Sequence, residues 1–223
     1  MFNVFIETRF NLPFPFSKGI NLTQDWLQYR FLLFKKYCLN SVINQTFKDF
    51  NWIIYFDKNT DTSLLNEIKS FDSRIVICHS KNDYLSIKKE KSNYLKRFIL
   101  SRLDSDDSYH KDFLKNVCKK SCSSKTDLVI DIKYHCFLNN KNIYYSINSS
   151  SSSHFASLLT NNANLSIYDF YHGDLSKKFK KEFIDKYLAV EVIHDSNLKN
   201  RFYLQHKRKS ANKDFFENYN ICL

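Results

Sequence analysis

Apolar positions in the first hundred residues fall into short blocks whose spacing alternates between the strand period and the helix period. Phe2 to Thr8 reads as a buried or half-buried strand. It ends at Arg9-Phe10-Asn11, and Leu12-Pro-Phe-Pro-Phe16 breaks regular structure, because paired prolines forbid helix or central strand. Thr23 is placed to cap a helix, with Asp25 in its first turn. Trp26, Tyr29, Leu33 and Tyr37 then recur at helical spacing beside Leu22 and Phe34, which predicts a helix running to Asn44. Trp52 to Phe56 is a strand ending at Asp57, Asp61 to Phe71 a helix with Leu64, Leu65 and Ile68 inward, and Arg74 to Cys78 a third strand. Residues 81–96 are basic and poorly periodic and read as a loop or short helix. Phe98 to Leu100 with Leu103 then form a strand that runs into Asp104, Asp106 and Asp107, and Ser108 to Ser121 is predicted helical, with Phe113, Leu114, Val117 and Cys118 on one face.

The pattern changes after residue 125. Asp127 to Phe137 and Asn142 to Ile147 are strand-like and flank the turn signal Leu138-Asn-Asn-Lys141, so a hairpin is expected. Ser149 to Ser153 is a polar low-complexity loop. Residues 155–165 and 176–187 read as helices, with Ile167 to Tyr171 a short strand or connector between them. Ala189 to Ile193 reads as a last strand ending at His194, ahead of a basic, aromatic tail from 199 to 223 that is helical at its end. Strand and helix alternation over the first half predicts an α/β fold, a mostly parallel sheet flanked by helices with a C-terminal hairpin region. A chain of 223 residues predicts a single domain, with 1–110 as one half and 111–223 as the other.

Composition changes this picture little. Hydrophobic residues are 43% and aromatics 17%, enough for a core and incompatible with disorder. The net charge of +11 is compatible with a polyanionic ligand, nucleic acid or an anionic membrane surface. No run approaches the roughly 18 apolar residues of a membrane span, and Met1 to Arg9 lacks the features of a leader, so a cytoplasmic protein is expected. The six cysteines, at 38, 78, 118, 122, 136 and 222, have no framework spacing and read as reduced core thiols, including Cys118 and Cys122 on one helical face.

The chemistry concentrates in Arg102-Leu-Asp-Ser-Asp-Asp107. Alternation along a strand would point Asp104 and Asp106 the same way, and two carboxylates about 4 Å apart repel by roughly 4 kcal/mol at an effective dielectric of 20. Capping of the next helix accounts for one of the three, with Asp107 either that cap or a ligand. An EF-hand loop starting at Asp104 would need Gly at Tyr109 and Glu at Lys115, and fails. A phosphatase of the haloacid-dehalogenase type fits the Asp-x-Asp spacing, but its nucleophile follows the first strand of its domain. The Gly-poor chain has no glycine loop for a dinucleotide or a P-loop. The phosphatase stays a minor alternative; the main reading is Mn²⁺ or Mg²⁺ shared between Asp104, Asp106 and a pyrophosphate, as GT-A glycosyltransferases use an Asp-x-Asp turn to hold a nucleotide-sugar. The reading from another class is a basic nucleic-acid-binding module, with Lys-rich loops and interleaved Tyr and Phe.

The chain resembles a family of bacterial GT-A-like rhamnosyltransferases. The resemblance lies in Thr8-Arg9-Phe10-Asn11, in Trp26, Arg30, Leu33-Phe34, Cys38-Leu39, Ser41 and Gln45, in Trp52 and Asp57 to Thr60, in Arg102 to Asp107, and in Ile193-His194 with Asn197 and Arg201. It implies a nucleotide-sugar donor, held in the 1–110 half by Arg9, Asn11, Asp57, Arg102, Asp104 and Asp106. It also implies a glycan or lipid-linked acceptor in the 111–223 half; the basic surface suits peripheral association with an anionic membrane where such acceptors reside, and nucleic-acid binding is the rival reading. By the same resemblance His194 completes the metal or diphosphate shell, although Asp195 stands where the family has a small residue; its other reading is a hydrogen-bonded core histidine. Arg102 either meets phosphate or neutralises the acidic turn, and Asp57 is either a donor contact or a turn residue. Inverting transfer needs a base, for which Asp169 and Asp174, flanking His172-Gly173, are the candidates.

Overall fold

A computed structural model describes residues 2–13, 19–92, 97–148, 151–194 and 207–221. Its elements in chain order begin with β1 (Asn3–Arg9), α1 (Gln24–Leu33), α2 (Asn40–Ile43), β2 (Asn51–Tyr55), α3 (Thr62–Ser70), β3 (Ile75–Cys78) and α4 (Lys81–Lys91). β4 (Phe98–Arg102), β5 (Ser108–Tyr109), α5 (Phe113–Ser121), β6 (Leu128–Asn139) and β7 (Asn142–Ile147) follow. The chain continues through β8 (Ser157–Thr160), α6 (Leu175–Lys178), β9 (Lys181–Ile193), β10 (Lys207–Ser210) and α7 (Lys213–Asn218).

One continuous sheet runs β10-β7-β6-β8-β4-β1-β2-β3, with β9 alongside β6 and β5 alongside β9. The first four strands in sequence are mutually parallel in the order β3-β2-β1-β4. That is the arrangement the alternating first half predicts, and it sends the carboxyl ends of all four strands to one edge. β8 continues the sheet antiparallel to β4, and β6 with β7 forms the expected hairpin, turning at Asn140 with φ 54°. Asparagine tolerates that left-handed conformation better than most residues.

The predicted long first helix is present, but α1 and α2 are joined by a π-helical stretch, Phe34–Leu39. Such insertions recur at functional sites. Thr23 does not cap α1 with its side chain; its hydroxyl donates to the Ile20 carbonyl. The basic segment after residue 81 is a full helix, α4, that buries Tyr84 and Lys88.

Three predicted helices are corrected. Residues 157–160 are strand β8, buried at every position and paired on both sides by β4 and β6; a short apolar run does not distinguish buried strand from helix until its partners are known. Residues 181–193 are the long strand β9, parallel to β6 with register shifts near Tyr134, so the strand expected at Ala189 to Ile193 is only its last part. It is not the last strand of the chain either, since β10 follows and pairs with β7. The helix expected from Ser108 begins at Phe113, because Ser108 and Tyr109 are taken up by pairing with Val190 and Ala189 of β9. α7 gives the tail its terminal helix. Cys38, Cys78 and Cys136 are buried and Cys118 half-buried, but Cys122 is exposed and its place in the core is corrected. Phe14 to Phe16, Asn197, Arg201 and Cys222 lie outside the described residues.

Candidate functional site

The carboxyl edge of the parallel strands carries the site, as open α/β sheets dictate. β4 ends at Arg102 and the chain turns at once, so strand alternation does not reach the acidic residues and Asp104 and Asp106 go to different partners. Asp106 points inward, where Arg30 Nη1 lies 2.5 Å and His194 Nε2 2.9 Å from the same oxygen, Oδ2. Burial alone would raise this carboxyl, but the Arg30 charge and the His194 hydrogen bond and charge outweigh it and hold the pKa at about 2. Asp104 lies nearer solvent, 36% exposed in its side chain, with Arg102 donating to it at 3.2–3.3 Å.

Asp107 caps no helix, which corrects one of its two expected roles. Its Oδ1 accepts from Val192 N of β9 at 2.9 Å and its Oδ2 lies 3.4 Å from His154 Nε2. Burial, then the charges of Asp106 and Asp104, raise its pKa well above the carboxylate range.

Nearby, Arg9 and Arg102 share one aromatic ring. The Arg9 guanidinium lies 4.0 Å and the Arg102 guanidinium 5.0 Å from the centroid of Tyr168. Arg102 Nη1 also lies 3.3 Å from His172 Nδ1. Beside them a cavity of about 170 Å³ is lined by Arg9, Tyr55, His79, Ser80, Lys81 and Tyr168, among others. Asn11 sits at this edge but its amide is spent internally: Oδ1 accepts from Asp57 N at 3.0 Å and Nδ2 donates to Thr60 Oγ1 at 2.9 Å, tying the end of β1 to the end of β2. Asp57 accepts from Asn59 N at 2.8 Å, an Asx-type turn, which is the second of the readings open to it.

Both expected bases carry a lysine partner. Asp169 lines the cavity, yet it is gripped by Lys81 at 2.5 Å and accepts from Ser166 N at 2.8 Å as half of a capping box. Asp174 is paired with Lys177 at 2.6 Å at the surface, and that hydrogen bond lowers its pKa, weakening it as a proton acceptor. Gly173 between them has no left-handed φ; a Cβ there would meet the Tyr171 ring at 3.2 Å.

The donor set of Asp104, Asp106 and His194 is compatible with a hard cation in chemistry, but only Asp104 fits in placement. Asp106 and His194 are committed to each other and to Arg30, and among the described residues no three His, Cys, Asp or Glu side chains gather as ligands would.

Four groups that sequence reasoning did not assign to the site also belong here. Arg30 had a signal: it stands four residues after Trp26 on the apolar face of its helix. Glu191 had one too, as the charge inside Ala-Val-Glu-Val-Ile. Tyr168, in a single 3-10 turn over Ile167–Asp169, and His154, in a loop, have no periodicity to betray them.

A parallel α/β sheet with an acidic turn and clustered cations at its carboxyl edge is the arrangement expected of a GT-A-like domain. The chain belongs to the family described as "Putative rhamnosyl transferase", whose profile matches residues 19–205. It is 27% identical over 111 residues to "Glycosyltransferase GlyA" of Streptococcus pneumoniae serotype 4, an alignment covering 48% of this chain and 16% of that protein. The chain thus spans about a sixth of that relative's length. Among solved structures it is similar to a cytidylyltransferase from Leptospira borgpetersenii (TM-score 0.39, 13% identity, 82% of this chain and 75% of that one). It is also similar to a "putative nucleotide-diphospho-sugar transferase" from Desulfovibrio desulfuricans (TM-score 0.40, 7% identity, 86% of this chain and 81% of that one).

Proposed function

We propose that the protein transfers a sugar from a nucleotide-sugar donor to a hydroxyl of a glycan or lipid-linked acceptor. The observation that carries this reading is the pairing of Arg9 and Arg102 around Tyr168 beside the cavity at the sheet edge. A nucleoside would occupy the cavity, and its diphosphate would lie against the two guanidiniums, which match phosphate oxygens in shape and charge. A Mn²⁺ or Mg²⁺ ion would be held by Asp104 together with the donor phosphates and water. It would add charge neutralisation for the departing diphosphate. Positive net charge favours an anionic membrane face as the place of acceptor capture, and no helix among the described residues is long and apolar enough to cross a membrane.

Calorimetric titration with UDP, GDP and dTDP, each with Mn²⁺ and with EDTA, tests this reading. At least one diphosphate should bind, and Arg102→Ala should weaken it about 10- to 100-fold, the loss of one charge-assisted contact. Asp104→Ala should abolish any difference between Mn²⁺ and EDTA. Failure of all three diphosphates to bind, with tight and salt-sensitive oligonucleotide binding untouched by Arg102→Ala, would replace the transferase reading with the nucleic-acid one.

A further inference from the structure

Two buried carboxylates away from the acidic turn are saturated with donors. Asp131 accepts from Ser153 N and Oγ, Asn148 Nδ2 and Ile132 N at 2.5–2.8 Å. Glu7 takes three hydroxyls. Glu191 breaks this rule. Its side chain is 11% exposed, and among the described residues its nearest charged or donor partner is His154 Nε2, 3.6 Å from Oε2. A buried carboxylate left without donors costs stability, so the position calls for a use that structure alone does not supply.

Its surroundings supply one. β9 pairs with β5 through Ala189 and Val190, and Val192 N holds Asp107, so Glu191 sits beside the acidic turn. His154 stands between Asp107 and Glu191 at 3.4 and 3.6 Å, on the loop that Asp131 fixes through Ser153. His154 and His172 are 6.1 Å apart ring to ring, and His172 touches Arg102, so the pair adjoins the diphosphate cations without being part of them.

We propose that Glu191 is the base that receives the acceptor hydroxyl's proton and that His154 is its positioning residue; this rests on the glycosyl-transfer reading above. In the step, the acceptor oxygen bonds to the anomeric carbon as the bond from that carbon to the diphosphate oxygen breaks. The hydroxyl proton passes to the Glu191 carboxylate, which becomes a carboxylic acid. The diphosphate leaves with the bonding electron pair, facing Arg9 and Arg102, and the proton then returns to water. Attack opposite the leaving group inverts the anomeric centre. Burial raises the Glu191 pKa to about 7, which suits a base working near neutrality.

The test uses the whole chain with UDP-glucose, GDP-mannose and dTDP-rhamnose, following release of nucleoside diphosphate as the sugar passes to water or to an added oligosaccharide. Glu191→Gln should lower kcat by about 100- to 10,000-fold, while the Kd for the nucleoside diphosphate and the melting temperature stay within error. Glu191→Asp should recover part of the rate. His154→Gln should lower kcat with the donor KM unchanged. Wild-type kcat in Glu191→Gln, or a product of retained configuration, overturns the assignment and leaves the donor reading intact. A wild-type protein that binds none of the diphosphates and hydrolyses none of the donors overturns the transferase reading and this assignment with it.

Discussion

Arg30→Ala is expected to destabilise the protein by about 3–5 kcal/mol, the cost of leaving a buried charge without its partner. Arg30 is 9% exposed and Asp106 6%, so water cannot take over the missing contact. His194 would remain beside Asp106 but supplies a full charge only when protonated. Urea denaturation measures the loss. Arg30→Met combined with Asp106→Asn should be less destabilised than the sum of the two single changes, because neither charge is then stranded. The same pair sets an acid limit. The Asp106 pKa falls from 3.8 to about 2 on folding, so its contribution is present above pH 3.8 and is lost as pH falls through about 2. An acid denaturation midpoint insensitive to Asp106→Asn would refute this assignment.

Glu7→Ala should rank beside it, at about 3 kcal/mol or more. Glu7 is fully buried on β1 and accepts from Tyr55 Oη at 3.0 Å, Tyr84 Oη at 2.9 Å and Ser166 Oγ at 2.5 Å. Alanine would leave Tyr55 Oη and Ser166 Oγ no acceptor but each other at 3.4 Å, at about 1–3 kcal/mol for each buried group left unsatisfied, while Tyr84 Oη keeps the Leu165 carbonyl at 2.8 Å. Glu7→Gln keeps an acceptor and should cost clearly less. Ser166 belongs to the segment that carries Tyr168, so Glu7→Ala should also weaken nucleoside diphosphate binding even at temperatures where the variant is folded. A variant that loses stability but binds as wild type would show that the network holds the core and not the cation pocket.

The first half of the fold was legible because each strand and helix from Asn3 to Cys78 carries its own period and its own stop signal, such as Asp57 after Trp52 to Phe56. β8 and β9 were not, since their burial is decided by strands far away in sequence: Leu158 faces Leu100 and Val129, and Val190 faces Ser108. The acidic turn was legible as a place where charge needs a partner. That Arg30 and His194 meet Asp106 was half legible, as a cation on an apolar helical face and a histidine at a strand end. The lysine partners of Asp169 and Asp174 were not legible, because a carboxylate's neighbours decide its use, and Lys81 and Lys177 come beside them only in three dimensions.

The bond between Glu7 and Ser166 joins residues 159 positions apart. At about 5–20 residues per second of synthesis, the first strand waits roughly 8–30 s for the hydroxyl that completes it. β4 in turn lacks β8 for about 3–11 s, the time to make the chain from Arg102 to Ser157, and until then the nascent sheet shows an unpaired apolar edge. β5 and β6 wait further along the chain for β9, and β7 for β10, so the sheet closes from its parallel half outward as synthesis proceeds.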